Sequence, residues 1–252
     1  MKNFLYALLI ITNVVAAQSV DDLFAEANTL YKEGNYLAAV ETYQKIAEQK
    51  VVSSELYYNL GNCYYKLNQV APTIYNYEKA LLLDPLNEDA ANNLVFAKRL
   101  TLDTIEELPK SFLQKINTNF LQKLSYNEWA KVVILSSFLT AIFFLLFYFS
   151  KTSTRKRTYF IISVLGFLCL VTTIFITVNQ YQQTKNTLEA IVFSEEVTVK
   201  NAPTINSEDV FTLHEGTKVW VLDAVDHWNK IKIADGKVGW IAIENIKKLT
   251  FF

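Results

Sequence analysis

Two histidines and two cysteines are the side chains best suited to covalent or metal chemistry, and their placement argues against both. His214 and His227 lie close together near the C-terminus, whereas Cys63 and Cys169 stand far off, one in a polar stretch and one in a long apolar run. A nucleophilic thiol needs a base beside it, and a zinc site needs three or four N or S donors at short intervals. Neither spacing occurs, and two distant cysteines make no disulfide framework. Cys63 reads as a packing residue, because free cysteine behaves as a small hydrophobe, and His227 as a solvated turn residue. Six glycines leave no phosphate-cradling loop, and a net charge of −1 lacks the basic excess that nucleic acid demands. The expectation is of no enzyme, no cofactor, no metal and no nucleic-acid partner.

What remains is the chemistry of recognition, and here the spacing is regular. Asn28 recurs as Asn62, Tyr31 as Tyr65, Lys32 as Lys66, Tyr43 as Tyr77 and Lys45 as Lys79, each 34 residues on. Ala27 falls on Gly61, two small residues where helices must approach closely. The stretch ELYYNLGNCYYKLNQVAPTIYNYEKALLLDP carries Tyr57, Leu60-Gly61, Tyr64, Tyr77, Ala80 and Pro85 at the marking positions of the tetratricopeptide repeat, which it resembles. Units over 20–53 and 54–87, followed by a capping helix over 88–100 with a narrow stripe of Ala90, Leu94 and Ala97, predict an all-α tetratricopeptide repeat domain over 18–100. The resemblance implies a concave protein-binding groove lined by Phe24, Asn28, Tyr31, Lys32, Glu55, Tyr58, Asn62, Tyr65, Lys66 and Asn92. The paired asparagines would bond an extended peptide's backbone, or else merely stabilise the helix ends. Phe24 and Phe96 stand where a carboxylate clamp would place cations, which argues against such a clamp.

The elements that carry this groove are tied to a membrane in the sequence reading. Residues 1–17 have the form of a signal peptide: Lys2, an apolar run from Phe4 to Val15, and a small-residue site at Val15-Ala16-Ala17. An uncleaved anchor is the alternative. Over 101–128, Pro109 interrupts the pattern, and Leu113, Ile116, Phe120, Leu121 and Leu124 recur at helical spacing. That linker holds either an amphipathic helix on the membrane surface or a helix packed on the repeats. Residues 129–149 and 159–178 read as two transmembrane helices with Trp129, Tyr148 and Tyr181 at their ends. The loop 150–158 holds Lys151, Arg155, Lys156 and Arg157 and no acid, which predicts a cytoplasmic loop and two flanking domains in the periplasm. No ionisable group interrupts either span, so they suit an anchor better than a transporter.

The last segment changes period. Val197 and Val199 alternate, as do Val219 and Val221, then Ile231 and Ile233, with turns at Glu215-Gly216 and Asp235-Gly236. Val197–Lys200, Pro203, a buried Trp228 and Gly239-Trp240 resemble the bacterial SH3-like domain, implying an all-β SH3-like barrel over 190–249. The predicted fold class is thus a multidomain membrane protein, with separate cores for repeats and barrel. In its order of parts, and in the stretches NNLVFAKRLTLDTIEELP and AIVFSEEVTVKNAPTINSEDVFTLHEGTKV, the chain resembles the Bat proteins, the Bacteroides aerotolerance family, in their tetratricopeptide–SH3-like type. That resemblance implies a complex in the cytoplasmic (inner) membrane with von Willebrand-type proteins and a MoxR-like ATPase, linked to oxygen or stress tolerance. Two functions follow from the sequence: a periplasmic scaffold that holds partner proteins, or an envelope sensor that binds peptidoglycan through its barrel.

Overall fold

A computed structural model describes residues 19–106, 108–109, 111–186 and 188–250. The leader read over 1–17 lies outside them. The chain divides into two compact units, one up to Val52 and one from Ser53 onward. In the first, α1 (Val20–Lys32) and α2 (Tyr36–Glu48) form a helix pair. Each starts at a side-chain cap: Ser19 accepts from the Asp22 N–H and Asn35 from that of Ala38. Leu23, Ala27, Val40, Tyr43 and Ile46 are buried.

The second unit opens with α3 (Ser54–Lys66), α4 (Val70–Leu83) and α5 (Glu88–Lys98). Ser54 and Val70 begin their helices 34 residues after Val20 and Tyr36, so the sequence period is also the helical period. Gly61 is where α3 meets α4: a Cβ there would stand 2.6 Å from two ring carbons of Tyr77. The stripe expected on the capping helix is buried, as Ala90, Leu94 and Ala97.

Seven strands close the chain: β1 (Leu188–Val192), β2 (Glu196–Lys200), β3 (Asp209–His214), β4 (Lys218–Val225), β5 (Trp228–Lys232), β6 (Val238–Ala242) and β7 (Ile246–Lys248). They pair antiparallel in the order β3-β2-β6-β5-β4-β1-β7. Alternate residues, among them Val199, Leu213, Val219, Ile231 and Ile241, fill the interior.

The barrel has the interior of its own that was expected, but a second core is shared between barrel and repeats, which was not. Ala71, Ile74, Tyr75 and Tyr77 of α4 share one buried cluster with Leu94 and Ala97 of α5, Ile191 of β1 and Leu249. The Tyr75 ring meets Phe193 edge-on at 5.6 Å, and its hydroxyl donates to the Lys248 carbonyl at 3.3 Å. Buried Glu78 is gripped from both sides, by Lys98 of α5 at 2.9 Å and Lys218 of β4 at 2.8 Å. Burial pushes the Glu78 carboxyl upward, but the two ammonium charges outweigh it and hold it below the ordinary value. The barrel also caps α4, whose own N-cap residue, Gln69, makes no side-chain cap bond. Glu215 accepts from the Ala71 N–H at 3.3 Å, placing a carboxylate at the positive end of the helix. Beside it, Gly216 turns at φ +85°, and a Cβ there would lie 2.9 Å from both Ile74 and Thr101.

The segment read as a linker starts as a strap on the barrel. Asp103 accepts from the His214 backbone N–H at 2.7 Å and from the Thr217 hydroxyl at 2.5 Å, and its other oxygen lies 2.7 Å from His214 Nδ1. Ile105 packs on the barrel core, and the Leu108 N–H donates to the Ala234 carbonyl. The amphipathic stretch forms α6 (Phe112–Asn119), with Phe112 and Phe120 exposed.

Between strap and barrel runs a hairpin of two helices, α7 (Tyr126–Phe149) and α8 (Ser153–Asn186). Both are long and apolar enough to cross a membrane. Ser125 and Glu128 form a capping box at the start of α7. The helices touch along their length: Tyr126 on Tyr181, Thr140 on Gly166, Phe147 on Phe160. Trp129 Nε1 donates to the Leu121 carbonyl at 2.9 Å, and the Gln180 amide donates to the same oxygen. Within the stretch 150–158, α8 begins at Ser153 and carries Arg155, Lys156 and Arg157.

Candidate functional site

On α1 of the first unit, Phe24, Asn28 and Tyr31 are half-buried and Lys32 is exposed. Their contacts run to α2. Asn28 Oδ1 accepts from the buried Tyr43 hydroxyl at 2.7 Å, Phe24 meets the Tyr43 ring at 5.6 Å, and Tyr31 meets Tyr36 at 5.3 Å.

The second unit repeats this arrangement and extends it. Asn62 Oδ1 accepts from the Tyr77 hydroxyl at 2.7 Å and from Asn93 Nδ2 at 2.9 Å. One carbonyl therefore ties α3 to both α4 and α5. The asparagine acceptors assigned to a bound peptide are engaged in holding helices together, and Asn93 was missing from the sequence reading. Around Asn62 the surface offers Glu55, Tyr65, Lys66 and Asn92, all exposed, with Tyr58 half-buried near Tyr77. Phe96 of α5 is 52% exposed, with the Arg99 guanidinium 5.1 Å from its ring.

A second surface, absent from the sequence reading, lies on the outside of the barrel. Trp228, Lys230 and Lys232 alternate along β5 and so share a face, while Asn229 and Ile231 point inward and are fully buried. Trp228 was expected to be buried; the inward places on β5 belong to its neighbours, and it is half-exposed. The strand register puts Trp240 opposite both Lys230 and Lys200, Trp220 opposite Lys232, and Asp223 opposite Lys230. Three of the four tryptophans of the chain thus share one face with three lysines. Lys230 Nζ lies 5.9 Å from the Trp240 ring centre, Lys200 pairs with Asp209 at 2.6 Å, and Trp220 Nε1 donates to Glu189 at 3.1 Å. The signal was legible in principle: WNK on one strand and GW on the next, each in a two-residue alternation.

The groups suited to covalent chemistry are placed differently. Cys63 is fully buried, and desolvation pushes its thiol up to about 12. His227 is exposed beside a turn. His214 is held by Asp103, whose hydrogen bond raises the imidazole above its ordinary value. Burial works against the Asp103 carboxylate, but the bonds from Thr217 and His214 prevail and lower it. No group of three or more His, Cys, Asp or Glu able to hold a metal ion occurs among the described residues.

Residues 54–87 match the family model of the tetratricopeptide repeat, and residues 195–247 match that of the bacterial SH3 domain. No curated protein matches the chain. The helical region therefore contains a tetratricopeptide repeat, and the antiparallel sheet is of the SH3-like kind. Both domain types point to protein–protein interaction, and the second also to peptidoglycan.

Proposed function

We propose that this chain is a membrane-anchored scaffold, without enzymatic activity, that presents a tetratricopeptide surface and an SH3-like barrel as one body. The observation that carries the reading is the shared core of α4, α5, β1 and Leu249, with Glu78 bridged to Lys98 and Lys218 across it. Modules that fold around one core hold their outer faces in a fixed relation, which suits a platform for partners. The length and apolar composition of the α7–α8 hairpin support the anchor, and the cations at its tip favour a periplasmic platform. In its order of parts the chain resembles the Bacteroides aerotolerance family, which makes von Willebrand-type membrane proteins and a MoxR-like ATPase the partners to seek. Partner contact falls on Tyr65, Lys66, Asn92 and Phe96 of the second unit. The same repeat positions recur on α1 as Tyr31, Lys32 and Phe24.

Crosslinked recovery of partners from membranes tests this. Tyr65→Ala with Phe96→Ala removes exposed rings, so the chain should keep its melting temperature and lose its partners. Unchanged recovery by that folded variant would sink the proposal. A second reading, in which the barrel holds peptidoglycan, is favoured by the tryptophan–lysine face. It predicts that the same variant still pellets with purified cell wall.

A further inference from the structure

We infer that the barrel face formed by Trp228, Trp240, Lys230 and Lys200 is a sugar-binding platform that takes the glycan strand, not the peptide stem, of the cell wall. The inference rests on the peptidoglycan reading of the barrel and goes further by naming the moiety and the residues. Trp228 and Trp240 sit on adjacent antiparallel strands, since Trp228 pairs with Ala242 and Lys230 with Trp240. Such diagonal neighbours lie about 7–8 Å apart, within reach of large side chains, so the two indoles can serve consecutive rings of one strand. Both are half-exposed. A sugar presents C–H groups on its faces and hydroxyls at its rim, and an indole offers a flat apolar surface to the first.

The charges around the indoles suit the rim. Lys230 stands opposite Asp223, and Lys200 is paired with Asp209 at 2.6 Å. Lys230 and Lys232 make no ion pair among the described residues, so ammonium donors stand beside the indoles for the hydroxyls and acetamido carbonyls of a sugar chain. A stem peptide of small and acidic residues offers no ring face to two neighbouring indoles, whereas each sugar of the strand does.

The test uses the full chain in detergent micelles and three probes: intact peptidoglycan, soluble glycan strands stripped of peptide by an amidase, and the stem peptides that the amidase releases. The expected result is cosedimentation with the first, competition by the second and none by the third. Trp240→Leu keeps apolar bulk but removes the ring and should weaken binding to stripped strands by roughly tenfold or more. Trp240→Phe should keep most of it, and Tyr65→Ala should change nothing. Binding to intact peptidoglycan but not to stripped strands would overturn the inference while leaving the wall-binding reading in place. Failure to bind either would overturn both. Competition by the stem peptides alone, or a folded Trp240→Leu variant that binds normally, would also overturn the sugar platform.

Discussion

Asn62 shows how a residue legible as a repeat mark can have its role settled elsewhere. Its carbonyl accepts from Tyr77, which is 1% exposed, and from Asn93. Asn62→Ala should remove the acceptor shared by the Tyr77 hydroxyl and the Asn93 amide and cost about 1 kcal/mol. Tyr77→Phe should cost less in that background than in the parent, because the hydroxyl has already lost this acceptor. Chemical denaturation of the two variants checks this, and additive losses would show that the bond contributes nothing. At Gly61, with a virtual Cβ 2.6 Å from the Tyr77 ring, Gly61→Leu should overpack the α3–α4 contact and cost roughly 1–3 kcal/mol. Asn229 points the other way. It is fully buried, and neither polar atom of its amide has a hydrogen-bond partner. Asn229→Leu, of similar volume, should raise the melting temperature, since an unpaired buried amide costs about 1–3 kcal/mol. A lower melting temperature would mean that the amide is satisfied in solution.

The hold of the strap that carries Asp103 depends on pH. His214 is raised by its bond to Asp103, and Asp103 is lowered, so the carboxylate stays ionised while the imidazole titrates. A group raised in the folded chain contributes fully below its unfolded value, near pH 6.5 for histidine, and loses that contribution as pH climbs through the raised value. Between about pH 6 and pH 8 the melting temperature should therefore fall as pH rises, and His214→Gln should flatten the slope. Equal slopes in both proteins would remove the pair from the account. Helix α4 is tied to the barrel in a second way, through the cap that Glu215 provides. Glu215→Ala should cost roughly 1 kcal/mol, the usual loss for a cap, although residue 215 lies far from α4 in sequence.

At the scale of the whole molecule, the shared core means that the barrel cannot be removed cleanly. Deleting 190–250 would expose Ala71, Ile74 and Tyr75 and leave Glu78 without Lys218. That apolar surface would then face water, so the truncated chain should lose protease resistance in α4 and α5 as well. A truncated chain that melts like the parent would argue for independent modules. Topology carries the other prediction at this scale. Reporters fused after Asp103 and after Asn186 should be exported and one within 152–157 should be cytoplasmic, because four cations cluster at Lys151, Arg155, Lys156 and Arg157. An exported loop reporter would reverse the orientation.

Local pattern alone was enough for the helix pairs, the two apolar helices and the strands, because each rests on a period of side chains along one element. Helix starts at Ser54 and Val70, the buried stripe of α5 and the turn glycines Gly216 and Gly236 all follow from that kind of signal. Contacts between distant segments lie beyond its reach. Leu37, Glu41 and Gln44 of α2 are exposed, while Ala71, Tyr75 and Glu78 hold the same repeat positions in α4 and are buried. Nothing in the 34-residue period distinguishes the two sets. In α4 the burial comes from the barrel, which is reached only after the whole membrane hairpin and returns to cover that helix. In the same way Asp103 reads as a linker residue until tertiary structure places His214 and Thr217 around its carboxylate. Periodicity determined which residues share a face; only the folded chain decided what each face meets.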